Sequence, residues 1–296
     1  MKIIVTGSLG HIGKPLTEAL VLKGHSVTVI SSNPEKQKDI EALGASAAIG
    51  TIEDSRFLTT VFTGADAVYT MIPPANYFNQ DFNLDVYCRK LADNYKRAIE
   101  QSGVKRVVHL SSVGTHLEKG SGLILSHRTV ELMLTTLSNV AITFMRPVGF
   151  YYNLFGFIPG IKNAGFIAAN YGAGENLVWV SPIDIADAIA EELETPLEGR
   201  KIRYVASDEL TGNETARILG EAIGKPDLKW ILIPGEQWQA GLEAAGMKRD
   251  IAAGLVEMFA SQHNGLLTED YYRNRPALGK VKMKDFAKEF AAVMGK

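Results

Sequence analysis

The fold is decided at the start of the chain by Lys2-Ile3-Ile4-Val5-Thr6-Gly7-Ser8-Leu9-Gly10-His11-Ile12-Gly13. The apolar run predicts a buried strand, and apolar periodicity from Ile12 to Lys23 predicts a helix. Between them, Gly7 allows a tight turn, Gly10 allows backbone to approach a pyrophosphate, and Gly13 allows helix and strand to pack closely. The helix N-terminus adds free N–H groups and a favourable dipole. We therefore predict that Gly7 and residues Leu9, Gly10, His11, Ile12 and Gly13 bind a dinucleotide, the alternative being an ordinary turn with incidental glycines.

The same strand–helix pattern continues through the first half of the sequence. Strands are predicted at 26–30, 45–49, 67–71, 106–111 and 140–145, with helices at 34–43, 55–62, 82–101 and 129–137. Continuous apolar strands that alternate with helices indicate a parallel sheet covered on both faces. A helix at 183–193 and a strand at 201–206 return to that sheet, whereas 210–296 reads as mostly helical.

We therefore predict a doubly wound α/β Rossmann fold with a smaller, mainly helical C-terminal lobe. The Rossmann domain takes residues 1–149 plus about 176–206, and the substrate-pocket lobe takes about 150–175 plus 207–296.

Composition excludes several other classes of protein. The net charge of -2, without a charge run, gives no indication of nucleic-acid binding. A single cysteine, Cys88, permits no intramolecular disulfide, and the histidines lack metal-ligand spacing. No apolar stretch has the length of a membrane span, and the first residues read as a strand rather than a secretion signal. We expect a cytoplasmic protein without a metal and without membrane or nucleic-acid partners.

Later segments add a family resemblance to the glycine loop. They are Gly64-Ala65-Asp66-Ala67-Val68, Arg106-Val107-Val108-His109-Leu110-Ser111-Ser112-Val113, Thr143-Phe144-Met145-Arg146-Pro147-Val148-Gly149-Phe150 and Val180-Ser181-Pro182-Ile183-Asp184-Ile185-Ala186. Together they resemble the extended and atypical branch of the short-chain dehydrogenase/reductase superfamily, and within it the NmrA-like subgroup. That subgroup includes NAD(P)H-dependent quinone reductases and non-catalytic redox sensors. The resemblance implies that Pro147, Val148 and Gly149 lie beside a nicotinamide, and that Met71, Ile72 and Pro73 lie along the cofactor.

The residues after the second strand bear on the choice of dinucleotide. An NAD site usually has a carboxylate at this strand end to bind the ribose 2′-hydroxyl, and none is present. Ser31, Ser32 and Asn33 can hydrogen-bond a 2′-phosphate, and Lys36 can add positive charge. We expect NADP(H) to be preferred over NAD(H), although Lys36 also fits a solvated helix position.

The acid–base pair typical of the resembled superfamily is missing. No Tyr-x-x-x-Lys occurs in the chain, and by alignment through Glu131 the tyrosine and lysine positions fall on Leu123 and His127. The remaining catalytic candidates are Ser112, as a hydrogen-bond donor to the acceptor, and His127, whose ordinary pKa lies near neutrality. Their alternatives are a strand-end cap for Ser112 and a packing residue for His127.

Aromatic residues follow the Arg146-Pro147 strand end. Phe150, Tyr151 and Tyr152 predict a flat, apolar substrate pocket, with core packing of the second lobe as the alternative. Our leading hypothesis is an NADPH-dependent oxidoreductase that transfers hydride to a small-molecule acceptor, a quinone or a similar flat compound, without the Tyr–Lys pair. The alternative is a non-catalytic NADP(H)-binding redox sensor that acts through a protein partner.

Overall fold

The computed structural model describes residues 1–196 and 198–295. Its strands are β1 (Lys2–Val5), β2 (Ser26–Ser31), β3 (Ser46–Ile49), β4 (Ala67–Met71), β5 (Arg106–Leu110), β6 (Ala141–Pro147), β7 (Gly149–Phe150), β8 (Ile167–Ala169), β9 (Asn176–Val180), β10 (Arg200–Val205), β11 (Asp208–Thr211) and β12 (Trp230–Leu232). Its α-helices are α1 (Gly13–Leu22), α2 (Lys36–Ala42), α3 (Ser55–Phe62), α4 (Leu84–Ser102), α5 (Ile124–Thr135), α6 (Ile158–Ala164), α7 (Pro182–Glu194), α8 (Gly212–Ala222), α9 (Gly235–Ala244), α10 (Arg249–His263), α11 (Glu269–Arg273) and α12 (Met283–Met294). No helix in these ranges is both long enough and apolar enough to cross a membrane.

Among the described residues, seven strands form one sheet in the order β10-β6-β5-β4-β1-β2-β3. Every neighbouring pair in it is parallel. The chain builds outward from β1 in one direction and from β4 in the other, so the order reverses between β1 and β4. In open parallel sheets, the crevice at the carboxyl ends of the strands at such a reversal is where ligands bind. The predicted doubly wound Rossmann fold is confirmed.

Both faces of this sheet are buried, because alternate residues of each strand point to opposite sides. Ile3 and Val5 join the apolar layer under α1 and α7, whereas Ile4 joins the layer under α3, α4 and α5. Helix α5 begins at Ile124, five residues before the predicted start at 129. The sequence pattern did not predict residues 124–128 as helical, because polar residues interrupt their apolar periodicity. In the structure this part of α5 buries Ile124 and Ser126.

The C-terminal part of the chain adds two small sheets, β11-β9-β7 and β12-β8, and the helices from α8 onward. Strand β9 therefore pairs with β7 and β11 rather than with the main parallel sheet. A buried carboxylate attaches the C-terminal segment: Asp184, at the start of α7, accepts hydrogen bonds from the backbone N–H groups of Lys280 (3.0 Å) and Val281 (3.1 Å) and from Ser207 Oγ (2.6 Å). These bonds position α12, whose Phe286 and Phe290 rings pack against Tyr151 and Phe155.

Candidate functional site

The glycine loop between β1 and α1 has the close packing that its sequence predicts. Gly7 has a φ of +90°, and a Cβ there would lie 3.1 Å from Met71 Sδ. A Cβ at Gly13 would overlap the carbonyl oxygen of Ser8, so helix and loop meet without room for a side chain. A Cβ at Gly10 would meet only Gly7 O, at 3.5 Å, an ordinary contact. Space therefore remains above Gly10, and this is the space a pyrophosphate needs.

No side chain in the described part of the chain neutralises the partial positive charge at the N-terminus of α1. Ile12 occupies its N-cap position without a side-chain cap, and the first turn carries no acidic residue. Leu9 and Ile12 pack their side chains into the core, whereas His11 is exposed. An uncapped helix end offers N–H donors and a partial positive charge to an anion. The loop thus has the donors and the space that a dinucleotide diphosphate requires.

The end of β2 connects to this loop through hydroxyl groups. Ser8 Oγ donates to Ser31 Oγ at 3.0 Å, and the buried Ser31 also accepts from the N–H of Asn33 at 3.2 Å. Ser32 is exposed. Lys36 is exposed as well, and its ammonium pairs with Asp39 at 2.9 Å. Four residues were predicted to bind a 2′-phosphate. Of these, Ser31 already uses its hydroxyl in hydrogen bonds within the protein, and Lys36 already pairs its ammonium with the Asp39 carboxylate.

The end of β4 forms the other side of the sheet reversal. Met71 contacts the glycine loop at Gly7, and its carbonyl accepts from the Tyr95 hydroxyl at 2.8 Å. Ile72 packs toward the layer under α4, and Pro73 is half-buried. The chain then continues as the loop 73–83 before α4 begins.

We refer to residues 73–83 as the β4–α4 loop, and it is held against the junction of α9 and α10. The Lys248 N–H donates to Tyr77 O (3.0 Å), and its ammonium donates to Phe82 O (2.7 Å). Gln80 Nε2 donates to Gly246 O at 3.2 Å. A cavity of about 470 Å³ adjoins these bonds, lined by Gln80, Lys248, Arg249, Asp250 and Ala253. Sequence reasoning missed this contact, since nothing in the local pattern joins residue 77 to residue 248.

The ends of β5 and β6 both bind Glu131 of α5, which forms a buried ion pair with Arg146. Arg146 makes two bonds to Glu131, Nε to Oε1 at 3.0 Å and Nη2 to Oε2 at 2.7 Å. Ser111 Oγ donates to the same carboxylate at 2.6 Å. The N–H of Val113 donates to Pro147 O at 3.0 Å, so the two strand ends stay together past the sheet. Pro147 and Val148 are buried beside this junction, and Gly149 is half-buried.

The two candidate catalytic residues lie in different environments. Ser112 is half-buried directly after β5, and its carbonyl accepts from Thr115 Oγ1 at 3.1 Å. His127 lies in α5, where Nδ1 is shielded from solvent and has no hydrogen-bond partner among the described residues. Burial lowers the pKa of His127, partly opposed by the charge of Glu131. His127 is therefore neutral at pH 7, and its imidazole is a poor proton donor.

The three predicted pocket aromatics do not stay together. Tyr152 stacks on His11, with ring centroids 4.6 Å apart and planes at 18°, and the Phe150 ring lies 5.0 Å from it. Tyr151 instead is fully buried against Phe286, with its hydroxyl donating to Asp208 at 2.9 Å. Phe150 and Tyr152 are thus next to the glycine loop, whereas Tyr151 belongs to the core of the C-terminal part.

Two further tyrosines approach Tyr152 and were not singled out from the sequence. Burial raises the pKa of Tyr152 to about 12, with a smaller contribution from Tyr77 in the β4–α4 loop. Tyr69, on β4, has its pKa raised by burial and then by neighbouring phenols, Tyr152 among them. Residues 77–82 are rich in aromatic side chains, and this was the one sign in the sequence that they could line a site. Only the fold shows that Tyr77 lies near Tyr152.

Comparisons with known proteins agree with this architecture. The sequence model described as the NmrA-like family matches residues 1–269, and the chain belongs to that family. An NAD(P)H azoreductase of Xenophilus azovorans is 25% identical over 303 residues, which cover 99% of each chain. Two solved structures are each 20% identical: a Citrobacter sp. triphenylmethane reductase complexed with NADP(H) (TM-score 0.75, covering 98% of this chain and 99% of that one) and an NADPH-dependent quinone oxidoreductase of Escherichia coli complexed with NADPH (TM-score 0.74, 97% and 99%).

Proposed function

We propose that this NmrA-like family member is an NADPH-dependent reductase that transfers hydride to a quinone or a similarly flat acceptor, without a Tyr–Lys pair. The observation that carries the proposal is the stack of Tyr152 on His11. It joins a flat aromatic surface directly to the loop that would hold the cofactor phosphates. Small, flat acceptors need such a surface for binding, and hydride transfer needs donor and acceptor in contact.

The residues around the loop fit a nicotinamide dinucleotide. The diphosphate would lie on the uncapped N-terminus of α1, in the space above Gly10. Met71, Ile72 and Pro73 would border the ribose and adenine half, and Pro147, Val148 and Gly149 would border the nicotinamide. The end of β2 carries no carboxylate, which favours the 2′-phosphate of NADP(H), with Ser32, Asn33 and Lys36 as its exposed neighbours.

Catalysis in this proposal depends mainly on positioning. When bound, NADPH supplies the hydride. Glu131, which binds both Ser111 and Arg146, fixes the ends of β5 and β6, and so the segments that carry Ser112 and Gly149. Ser112 would donate a hydrogen bond to the acceptor oxygen. Phe150 and Tyr152 would provide the flat contact surface. The azoreductase, dye reductase and quinone reductase relatives support an acceptor of this class.

The test is NADPH oxidation by the purified protein with a panel of quinones, azo dyes and a cationic triarylmethane dye. We expect turnover with at least one acceptor class, NADPH consumed in preference to NADH, and weaker NADPH binding and slower turnover in Gly10→Ala, whose added Cβ makes only an ordinary contact in the fold. Tight NADPH binding without turnover on any acceptor would refute the reductase proposal. It would favour the alternative, a redox sensor that acts through a protein partner.

A further inference from the structure

Reduction of a quinone requires a proton as well as a hydride, and Leu123, His127 and Ser112 are all poor sources of that proton. Leu123, at the usual tyrosine position, cannot transfer a proton, and its side chain packs against Gly254 of α10. His127 is neutral because burial lowers its pKa. A serine hydroxyl such as that of Ser112 is a hydrogen-bond donor but a very weak acid. A hydroxyl more acidic than that of serine would speed this protonation, and it has to come from another element.

The Tyr152 hydroxyl has the placement that these groups lack. The Tyr152 ring is fixed between His11 and Phe150, directly beside the glycine loop. Within residues 1–196 and 198–295 its hydroxyl has no hydrogen-bond partner, and it is not sealed from solvent. The buried phenols of Tyr95, Tyr151 and Tyr204, by contrast, donate to Met71 O, Asp208 and Asp270.

We propose that Tyr152 is a catalytic residue whose hydroxyl hydrogen-bonds the acceptor oxygen and donates the proton that completes its reduction. The inference rests on the proposed function. Hydride from NADPH carries two electrons and one hydrogen to the quinone, which becomes a hydroquinone monoanion. The O–H bond of Tyr152 then breaks, its proton binds the anionic oxygen, and the phenolate regains a proton from water. The Tyr152 hydroxyl is protonated at neutral pH, and burial raises its pKa to about 12, so the proton transfer depends on the short hydrogen bond to the anionic oxygen rather than on the acidity of the free phenol.

A cationic triarylmethane dye separates the proton step from the hydride step. Its central carbon is a carbocation that accepts hydride and forms one C–H bond, and the product is neutral. No proton is consumed in this reaction. Removal of a proton donor should therefore slow quinone reduction and leave dye reduction unchanged, whereas damage to the cofactor site should slow both.

The experiment uses Tyr152→Phe, which keeps the ring on His11 and removes only the hydroxyl. For the quinone we expect kcat to fall by about 100-fold, the usual scale of general acid catalysis, while that for the dye stays within about twofold. Tyr272→Phe, a change at an exposed tyrosine of α11, serves as the matched control. Equal rates of wild type and Tyr152→Phe on the quinone would overturn the proposal, and so would an equal loss on both acceptors.

The affinity of the protein for the quinone tests the role of the Tyr152 hydroxyl separately from the reductase activity. If wild type reduces neither acceptor, the reductase proposal fails, and quinone affinity for the NADP⁺-loaded protein becomes the deciding readout. Loss of one hydrogen bond from Tyr152→Phe should weaken quinone binding about fivefold to tenfold, with NADP⁺ affinity unchanged. Unchanged quinone affinity would show that the Tyr152 hydroxyl does not touch the acceptor.

Discussion

Gly10→Ala should separate cofactor binding from folding. Gly10 does not use the left-handed backbone region, and a Cβ there makes only an ordinary contact with Gly7 O, at 3.5 Å. The folded protein can therefore accept alanine without strain. Alanine also reduces the freedom of the unfolded chain, which stabilises a protein by about 0.4–1 kcal/mol where the backbone is compatible. We expect the melting temperature of the cofactor-free protein to be unchanged or slightly higher.

The added methyl group should nevertheless impair NADPH binding, because it occupies the space above the loop where the pyrophosphate would lie. Forcing an extra methyl group into a packed site costs about 1–3 kcal/mol. That range corresponds to roughly a 5- to 150-fold increase in the Kd for NADPH. Isothermal titration calorimetry measures the Kd, and thermal unfolding of the same samples measures stability.

Gly174→Ala is the matched control, because a Cβ at Gly174 meets no atom within 4 Å. Gly13→Ala should behave in the opposite way to Gly10→Ala: its Cβ overlaps the Ser8 carbonyl, so the cofactor-free protein itself should be destabilised. A Gly10→Ala protein that binds NADPH as tightly as wild type would refute the placement of the diphosphate on this loop.

The remaining predictions concern the elements that hold the site in place. Glu131→Gln leaves the buried Arg146 guanidinium with only the more distant Asp270 carboxylate, at 3.4 Å, and should lower the free energy of unfolding in urea by about 2–3 kcal/mol; a loss below about 1 kcal/mol would contradict the importance of the Arg146–Glu131 pair. Asp184→Asn weakens the anchor of residues 280–281 and should cost about 2–3 kcal/mol by the same measurement; unchanged stability would show that other contacts hold the C-terminal segment. Lys248→Ala removes the ammonium bond to Phe82 O and should speed hydrogen–deuterium exchange in residues 73–83, with exchange in β1 unaffected as the internal control. Equal exchange in that variant and wild type would show that Lys248 does not restrain the loop.

The sequence was sufficient for the fold because its local signals agree with one another. The glycine spacing after β1, the apolar strands and the helix stops all indicate the same parallel sheet, and the structure confirms it. Agreement of this kind between local and global preferences is what lets a pattern predict a fold. The residue boundaries of the predicted Rossmann domain and lobe stay a prediction.

The site was predictable only where it is local in sequence. Tyr151 and Tyr152 are adjacent and chemically equal, yet the short helical turn at Tyr151–Phe157 directs one into the core and the other onto the glycine loop. The contacts of Lys248 with the β4–α4 loop join residues more than 160 positions apart, and no local pattern encodes them. The bond between Ser8 and Ser31 likewise depends on how β2 packs beside β1.

The most direct test of the central claim follows the hydride itself. NADPH carrying deuterium on one face or the other of its C4 carbon would be mixed with the protein and a cationic triarylmethane dye, and the reduced dye analysed by mass spectrometry. We predict that deuterium from one face only appears at the central carbon of the product, because the dinucleotide is held in one orientation against the acceptor. Equal transfer from both faces, or a product free of deuterium from either, would contradict direct hydride transfer at this site.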